Sequence, residues 1–297
     1  MNDILVRIDQ LYKIFGSDVP SALAKLRAGA DPKDLFTQQN WSVALNNISL
    51  TVNQGEIFVI VGLSGSGKST LLRMINRLID PSAGEVFFKG QALSSLTPSE
   101  LIQLRRHEMG MVFQSFALLP TRSVLDNAAF GLELAGIDSK NRHRQAMAVL
   151  EQVGLAQVAR QMPHQLSGGM QQRVGLARAL AVNPALLLMD EAFSALDPIN
   201  RRDMQDLLLS LQAQQRRTLI FVTHDIEEAL RIGNRIAIME QGRVIQTGTA
   251  EEIINTPANG YVRRFFAGVD TSRYVLAENF AGAFSQPAVE PAHVKTL

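Results

Sequence analysis

A short apolar run, Ile57-Phe58-Val59-Ile60-Val61, leads straight into Gly62-Leu63-Ser64-Gly65-Ser66-Gly67-Lys68-Ser69, and Leu71–Asn76 beyond it has the apolar spacing of a helix. A buried strand, a tight glycine-rich loop and a returning helix are therefore expected in immediate succession. Glycines let the loop backbone curl so that its N–H groups surround phosphate oxygens, and the helix turns its positive end toward them. Lys68 reaches outer phosphates in such a loop, Ser69 offers a hydroxyl to Mg²⁺, and Thr70 continues the same turn. The run points to a bound nucleoside triphosphate.

Composition removes several alternatives. The net charge of +1 gives no electrostatic case for nucleic acid. The absence of cysteine rules out disulfides and thiolate metal sites. No apolar stretch approaches the roughly 18 residues of a membrane span. Asp3, Arg7 and Asp9 interrupt the first apolar segment, which does not read as a signal peptide.

Along the chain, 4–9, 43–52, 57–61, 84–88 and 109–113 read as strands. Between the first two lies a polar insertion, 17–41, with helical pieces at 21–28 and 32–38; its simplest reading is a solvated surface excursion. From 123 to 182 the pattern is mostly helical, as in Val124–Leu134 and Ala146–Val153. Strand and helix then alternate: 185–189, 199–214, 219–223, 226–232 and 235–239. The fold class is α/β, with a helical block inserted between two strands of the core.

Leu186-Leu187-Leu188-Met189-Asp190-Glu191 is an apolar strand ending in two acids, which a parallel sheet delivers beside the phosphate loop. Asp190 suits a water-mediated hold on Mg²⁺, and Glu191 suits the polarisation of an attacking water. His224, at the end of 218–223, faces the same crevice, and Gln114, at the end of 109–113, has an amide oxygen for the metal or the water. In Leu166-Ser167-Gly168-Gly169-Met170-Gln171-Gln172-Arg173, Ser167 is a helix N-cap ahead of bare N–H groups, a second anion site. One chain with two phosphate-facing devices but one phosphate loop suggests a head-to-tail pair that encloses two nucleotides.

These motifs, with Ser194-Ala195-Leu196-Asp197, occur in the order and spacing of an ABC transporter nucleotide-binding subunit, and the chain resembles that family over roughly residues 4–268. The resemblance implies a P-loop NTPase ABC ATPase core with an antiparallel β subdomain and an inserted helical subdomain at about 115–182. It implies ATP and Mg²⁺ as cofactors, Phe15 as the aromatic stacked on adenine with Tyr12 the runner-up, and Glu191 and His224 as the catalytic pair. Leu166, Ser167, Gly168, Gly169 and Gln171 would act on the partner's ATP, and Ser194–Asp197 would join the two sites of a homodimer.

Tyr12–Gly16 followed by the insertion, Gln114–Pro120, Asp190–Pro198 and Tyr261–Asp270 are similar to the quaternary-amine branch, the bacterial glycine betaine/proline importers. That likeness implies transmembrane permease subunits and an extracytoplasmic substrate-binding protein as partners, with the chain peripheral at the cytoplasmic face of the inner membrane. The alternatives are an importer ATPase for another amino acid such as histidine, or a soluble ABC ATPase; nucleic acid is not an expected partner. Members of the branch often continue into CBS domains. Here 269–297 reads as a tail too short for one. Phe116, Leu118 and Leu119 fit either core or a permease contact, and Arg105-Arg106-His107 and Arg201-Arg202 read as solvated helix faces.

Lys68→Ala removes the cation that faces the outer phosphates. Titration calorimetry with Mg-ATP should show a loss of at least about 2 kcal/mol, the scale of one charge-assisted bond.

Overall fold

The computed structural model of the protein describes residues 3–39, 41–267 and 269–270. Its elements, in chain order, are β1 (Ile4–Phe15), α1 (Val19–Arg27), α2 (Pro32–Gln39), β2 (Ser42–Asn53), β3 (Ile57–Gly62), α3 (Lys68–Ile75), β4 (Ala83–Phe88), β5 (Gln91–Ala92), α4 (Pro98–His107) and β6 (Met109–Val112). After them come α5 (Val124–Leu134), α6 (Ser139–Gln152), α7 (Gly168–Ala181), β7 (Leu186–Asp190), α8 (Pro198–Gln214), β8 (Thr218–Thr223), α9 (Ile226–Ile232), β9 (Arg235–Glu240), β10 (Arg243–Gly248), α10 (Ala250–Asn255) and α11 (Gly260–Phe265). The expected elements fall within a few residues of these bounds, apart from an early N-terminus of α6 and the second half of β1.

Among the described residues the strands form two sheets. One is antiparallel, in the order β2-β1-β4-β5; the other runs β10-β9-β3-β8-β7-β6. In the second, β9, β3, β8, β7 and β6 are mutually parallel, and β10 pairs antiparallel at the edge. Every residue of β3, β7 and β8 is buried, as strands covered on both faces must be. Alternation sorts their side chains. Val59, Val61, Leu187, Met189 and Phe221 pack with Leu176 and Leu180 of α7 and Leu208 of α8. Phe58, Ile60, Leu186, Leu188, Ile220 and Val222 pack against α3 and the inner face of the antiparallel sheet.

Between β6 and β7 the chain leaves the sheet to form α5, α6 and α7, which share a separate core of Val124, Ala128, Leu150, Val153, Val174 and Ala177. α7 thus serves two cores, one through Val174 and Ala177, the other through Leu176 and Leu180. This is the mixed architecture expected from the sequence: parallel α/β core, antiparallel sheet and helical block.

The insertion is not a solvated excursion. Ala22, Leu26, Leu35 and Trp41 are buried with Tyr12 and Ile14 in a small core of their own. The Trp41 indole N–H donates to the Ser17 carbonyl, and Lys25 and Arg27 lie over the rings of Trp41 and Tyr12 at 5.1 and 5.5 Å. The segment is polar by composition, but its few apolar residues share one face.

Among the elements the sequence reading did not give, α4 and β10 escaped for identifiable reasons. α4 buries no residue, so it has no apolar period to find; its signal is the capping box between Thr97 and Glu100. The β9–β10 hairpin turns through Gln241 and Gly242, both at positive φ, a geometry usually announced by Asn-Gly or Asp-Gly.

The turn after β7 is fixed by Phe193, which is fully buried with its ring centroid 5.2 Å from that of Phe221. Phe193→Ala should cost about 3–5 kcal/mol in urea unfolding, the usual range for an aromatic removed from a close-packed core.

Candidate functional site

β3 stops at Gly62 and α3 starts after Gly67, so the phosphate loop spans the strand's C-terminal end and the helix N-terminus. Gly67 is required by its position. Its φ is +99°, and a Cβ there would lie 2.5 Å from the Ala44 carbonyl oxygen. No side chain caps α3 at this residue, which leaves first-turn N–H groups free to point at an anion. The loop opens into a crevice of about 290 Å³ lined by Ser42, Val43, Ala44, Ser64, Gly65, Gly67, Lys68, Ser69, Thr70 and Glu191. Leu63 is exposed and lines a separate pocket with His224 and Tyr261, and the Ser66 hydroxyl is buried without a protein partner.

Lys68 is buried to 4% exposure, with Nζ donating to the carbonyls of Gly62 at 2.8 Å and Leu63 at 3.0 Å. Burial pushes its ammonium below the usual lysine range, while the Glu191 and Asp190 carboxylates pull it back up. Ser69 Oγ donates to Asp190 Oδ1 at 2.6 Å, and Arg73 donates to Oδ2 at 3.3 Å. A hydroxyl paired with one buried carboxylate beside a phosphate cradle matches what Mg²⁺ uses, since that ion takes most remaining oxygens from phosphate and water. Among the described residues no cluster of three or more His, Cys, Asp or Glu offers an all-protein metal cage.

Glu191, the first residue beyond β7, has φ +46°, an uncommon conformation for a residue with a side chain and one that marks functional turns. Its N–H donates to the Val222 carbonyl at 3.0 Å. Its carboxylate lies between two nitrogens, Lys68 Nζ at 3.8 Å from Oε1 and His224 Nδ1 at 3.2 Å from Oε2. Sequence alone gave no sign of this backbone reversal. It aims the side chain back over the phosphate loop.

Gln114 is exposed in a neighbouring crevice of about 360 Å³, with Ser69, Arg73, Phe113, Ser115, Asp190 and Ala195. Ser69 therefore borders both spaces, with Gln114 on the far side from Glu191. The backbone after Gln114 is tied to α7: Arg178 donates to the carbonyls of Ala117 at 2.7 Å and Phe116 at 3.3 Å. Phe116 and Leu118 are half-buried against the two cores that α7 serves.

Phe15 ends β1 with 44% exposure, and Lys13 Nζ is 4.9 Å from its ring centroid. Tyr12 is buried beneath Arg27 in the insertion core, so the runner-up for a stacking aromatic is already covered. The run 166–171 stands apart. Ser167 is exposed and caps α7 by accepting from the Met170 N–H at 3.3 Å; Gly168 is exposed, Leu166 and Gly169 are buried. None of these residues lines either crevice described above. Gln171 donates inward to the carbonyls of Pro163 and Leu166 at 3.0 and 3.2 Å; its amide N–H group is spent on the turn that presents Ser167. The basic run 105–107 also divides. Arg105 donates to the Asn76 carbonyl at 2.8 Å, closing the C-terminus of α3, while Arg106 and His107 are exposed.

The ABC transporter family model matches residues 45–194. The chain is 52% identical over 278 residues to ProV of Escherichia coli (strain K12), a glycine betaine/proline betaine transport system ATP-binding protein, covering 94% of this chain and 70% of that one. It is 52% identical over 274 residues to GbuA of Listeria monocytogenes, a glycine betaine/carnitine transport ATP-binding protein, covering 92% and 69% respectively. Among solved structures it is similar to an ATP-binding cassette determined as a dimer in a post-hydrolysis state with ADP and Pi bound. That match has a TM-score of 0.69 and 33% identity, and covers 82% of this chain and 98% of the cassette.

Proposed function

The chain belongs to the ABC transporter family as an ATP-binding subunit, and on that premise we propose that it hydrolyses ATP to drive a membrane importer for glycine betaine, proline betaine and related compatible solutes. The observation that carries the ATPase reading is the Glu191 carboxylate, set between Lys68 and His224 above the phosphate loop. The transport roles in the names of both relatives support the importer over a histidine transporter or a soluble ABC ATPase.

In this reading Lys68 and the loop residues Gly62, Leu63, Ser64, Gly65, Ser66, Gly67, Ser69 and Thr70 hold the triphosphate, and Phe15 stacks on adenine. Ser69, Asp190 and Gln114 hold Mg²⁺, which when bound neutralises charge developing on the phosphates. Glu191 accepts the proton of the attacking water. His224 keeps that carboxylate and the water in line, the tautomer being set by which of its nitrogens faces Glu191. The exposed Ser167 turn acts on the nucleotide of a second copy, with Leu166, Gly168, Gly169 and Gln171 shaping it. A dimeric relative with ADP and Pi bound supports pairing of two such chains.

No helix among the described residues is long and apolar enough to cross a membrane. In this reading separate permease subunits form the membrane pathway, and this chain sits on their cytoplasmic side. A trimethylammonium ligand is held by clustered aromatic rings. The chain has one tryptophan, buried at 3% exposure, and three tyrosines, which supports solute recognition by an extracytoplasmic binding protein.

The test of the importer assignment is ATPase activity of the complete complex. Betaine-loaded binding protein should raise it, while the isolated subunit should not respond to betaine. Stimulation by a sugar-loaded binding protein with none by amines would overturn the solute class.

Glu191→Gln should retain Mg-ATP binding, lose turnover by roughly 10²–10⁴-fold, the contribution of a positioned general base, and accumulate a dimer with ATP in size-exclusion chromatography.

A further inference from the structure

The basic pair Arg201-Arg202 divides as sharply as the run at 105–107. Arg202 is exposed, whereas Arg201 is half-buried in the first turns of α8 and reaches two separate turns. Its Nη2 donates to the Leu196 carbonyl at 3.1 Å, and its Nη1 donates to Asp225 Oδ2 at 3.4 Å. Leu196 lies in the turn that follows Glu191. Asp225 is the residue after His224.

These contacts close a ring. Starting at Glu191, the chain passes through a tight turn in which Ser194 donates from both its N–H and its hydroxyl to the Glu191 carbonyl, at 3.1 and 2.8 Å. It continues to Leu196, crosses by Arg201 to Asp225, steps one peptide back to His224, and returns to Glu191 through the 3.2 Å imidazole contact. The Asp225 end is itself anchored. Asp225 Oδ1 accepts from the Glu228 N–H at 3.2 Å, and the Asp225 N–H donates to Thr223 Oγ1 at 3.0 Å. Thr223 Oγ1 donates to the buried Glu228 carboxylate at 2.5 Å, and Gln205 of α8 donates to the other oxygen of that carboxylate at 3.0 Å.

A plain surface ion pair would join two mobile side chains and contribute little. Arg201 differs because one branch of its fork grips main chain and the other grips a helix cap. Its planar geometry fixes the separation of the two turns, which a flexible lysine does not do. We propose that Arg201 is a positioning residue that locks the turn after Glu191 to the turn bearing His224, holding the carboxylate and imidazole at the spacing needed to activate water. The proposal rests on the reading of Glu191 and His224 as the catalytic pair. It gives Asp225 a charge-dependent share in the same task.

Steady-state ATPase kinetics of the full chain with Mg-ATP test this. Arg201→Ala should lower kcat roughly 10- to 100-fold, the scale of a sub-ångström to ångström misplacement of reacting groups, with KM for ATP little changed. Arg201→Lys should recover only part of the loss. Asp225→Asn keeps a good helix cap while removing the charge, and should lower kcat on its own. The double variant Arg201→Ala with Asp225→Asn should be no slower than the slower single variant, because both break one link. His224→Ala is the control for the underlying pair, and parent-rate turnover by it would overturn that pair and this proposal together. With His224→Ala inactive, three results would overturn the role of Arg201 alone: parent-rate turnover by Arg201→Ala, a loss confined to KM, or single losses that multiply in the double variant. Should Arg201→Ala fail to fold, Arg201→Lys and Asp225→Asn decide the question. Parent-rate turnover by both would then refute the proposal.

Discussion

The hydrogen-bonded register of β3, β8 and β7 is the constraint from which the site follows. Val61 lies opposite Thr223, and Val222 lies opposite Asp190. Because the strands are parallel, their C-terminal ends leave the sheet side by side, and the phosphate loop, the acidic pair and the histidine emerge at one edge. The pairing is bound to the apolar pattern. A slip of one residue would exchange the two buried faces, setting Phe58 and Ile60 against α7 and sending Val59 and Val61 toward α3. Packing on both faces thus enforces the alignment that brings Lys68 to within 3.8 Å of Glu191.

Much of this was legible in the amino-acid sequence because the relevant signals are local. Five apolar residues before a glycine loop, and five before Asp190-Glu191, each announce a buried strand that ends in chemistry. What stayed hidden depends on non-local geometry. Nothing in the letters around Glu191 gives its left-handed backbone, which follows from the N–H bond to Val222 on the adjacent strand. Arg201 reads as one of two arginines on a helix face until the fold brings Leu196 and Asp225 to either side of it. Gln171 reads as a ligand group, yet its donor N–H atoms are taken by carbonyls five and eight residues earlier. Tyr12 and Phe15 are both aromatic on β1, and only the position of the insertion decides which is covered.

α7 shows how one element can serve separate packing problems. Its apolar residues divide between the helical block and the parallel sheet, and its N-terminus carries the exposed serine turn. Arg178 near its other end, pushed below its ordinary pKa by burial, holds the backbone that follows Gln114. Displacing the helix would disturb both cores at once. The serine turn and the Gln114 segment are therefore referred to the same rigid support, although about fifty residues of chain separate them.

The insertion core has a spectroscopic consequence. Trp41 is the chain's sole tryptophan, and it is buried between the Ser17 carbonyl and the first residues of β2. Ser42, its neighbour in the chain, lines the same crevice as Lys68. Indole emission from this protein therefore has a single source, with no second tryptophan in the large cores to dilute it. That emission reports on one place: the junction where a folded surface insertion meets the wall of the nucleotide crevice.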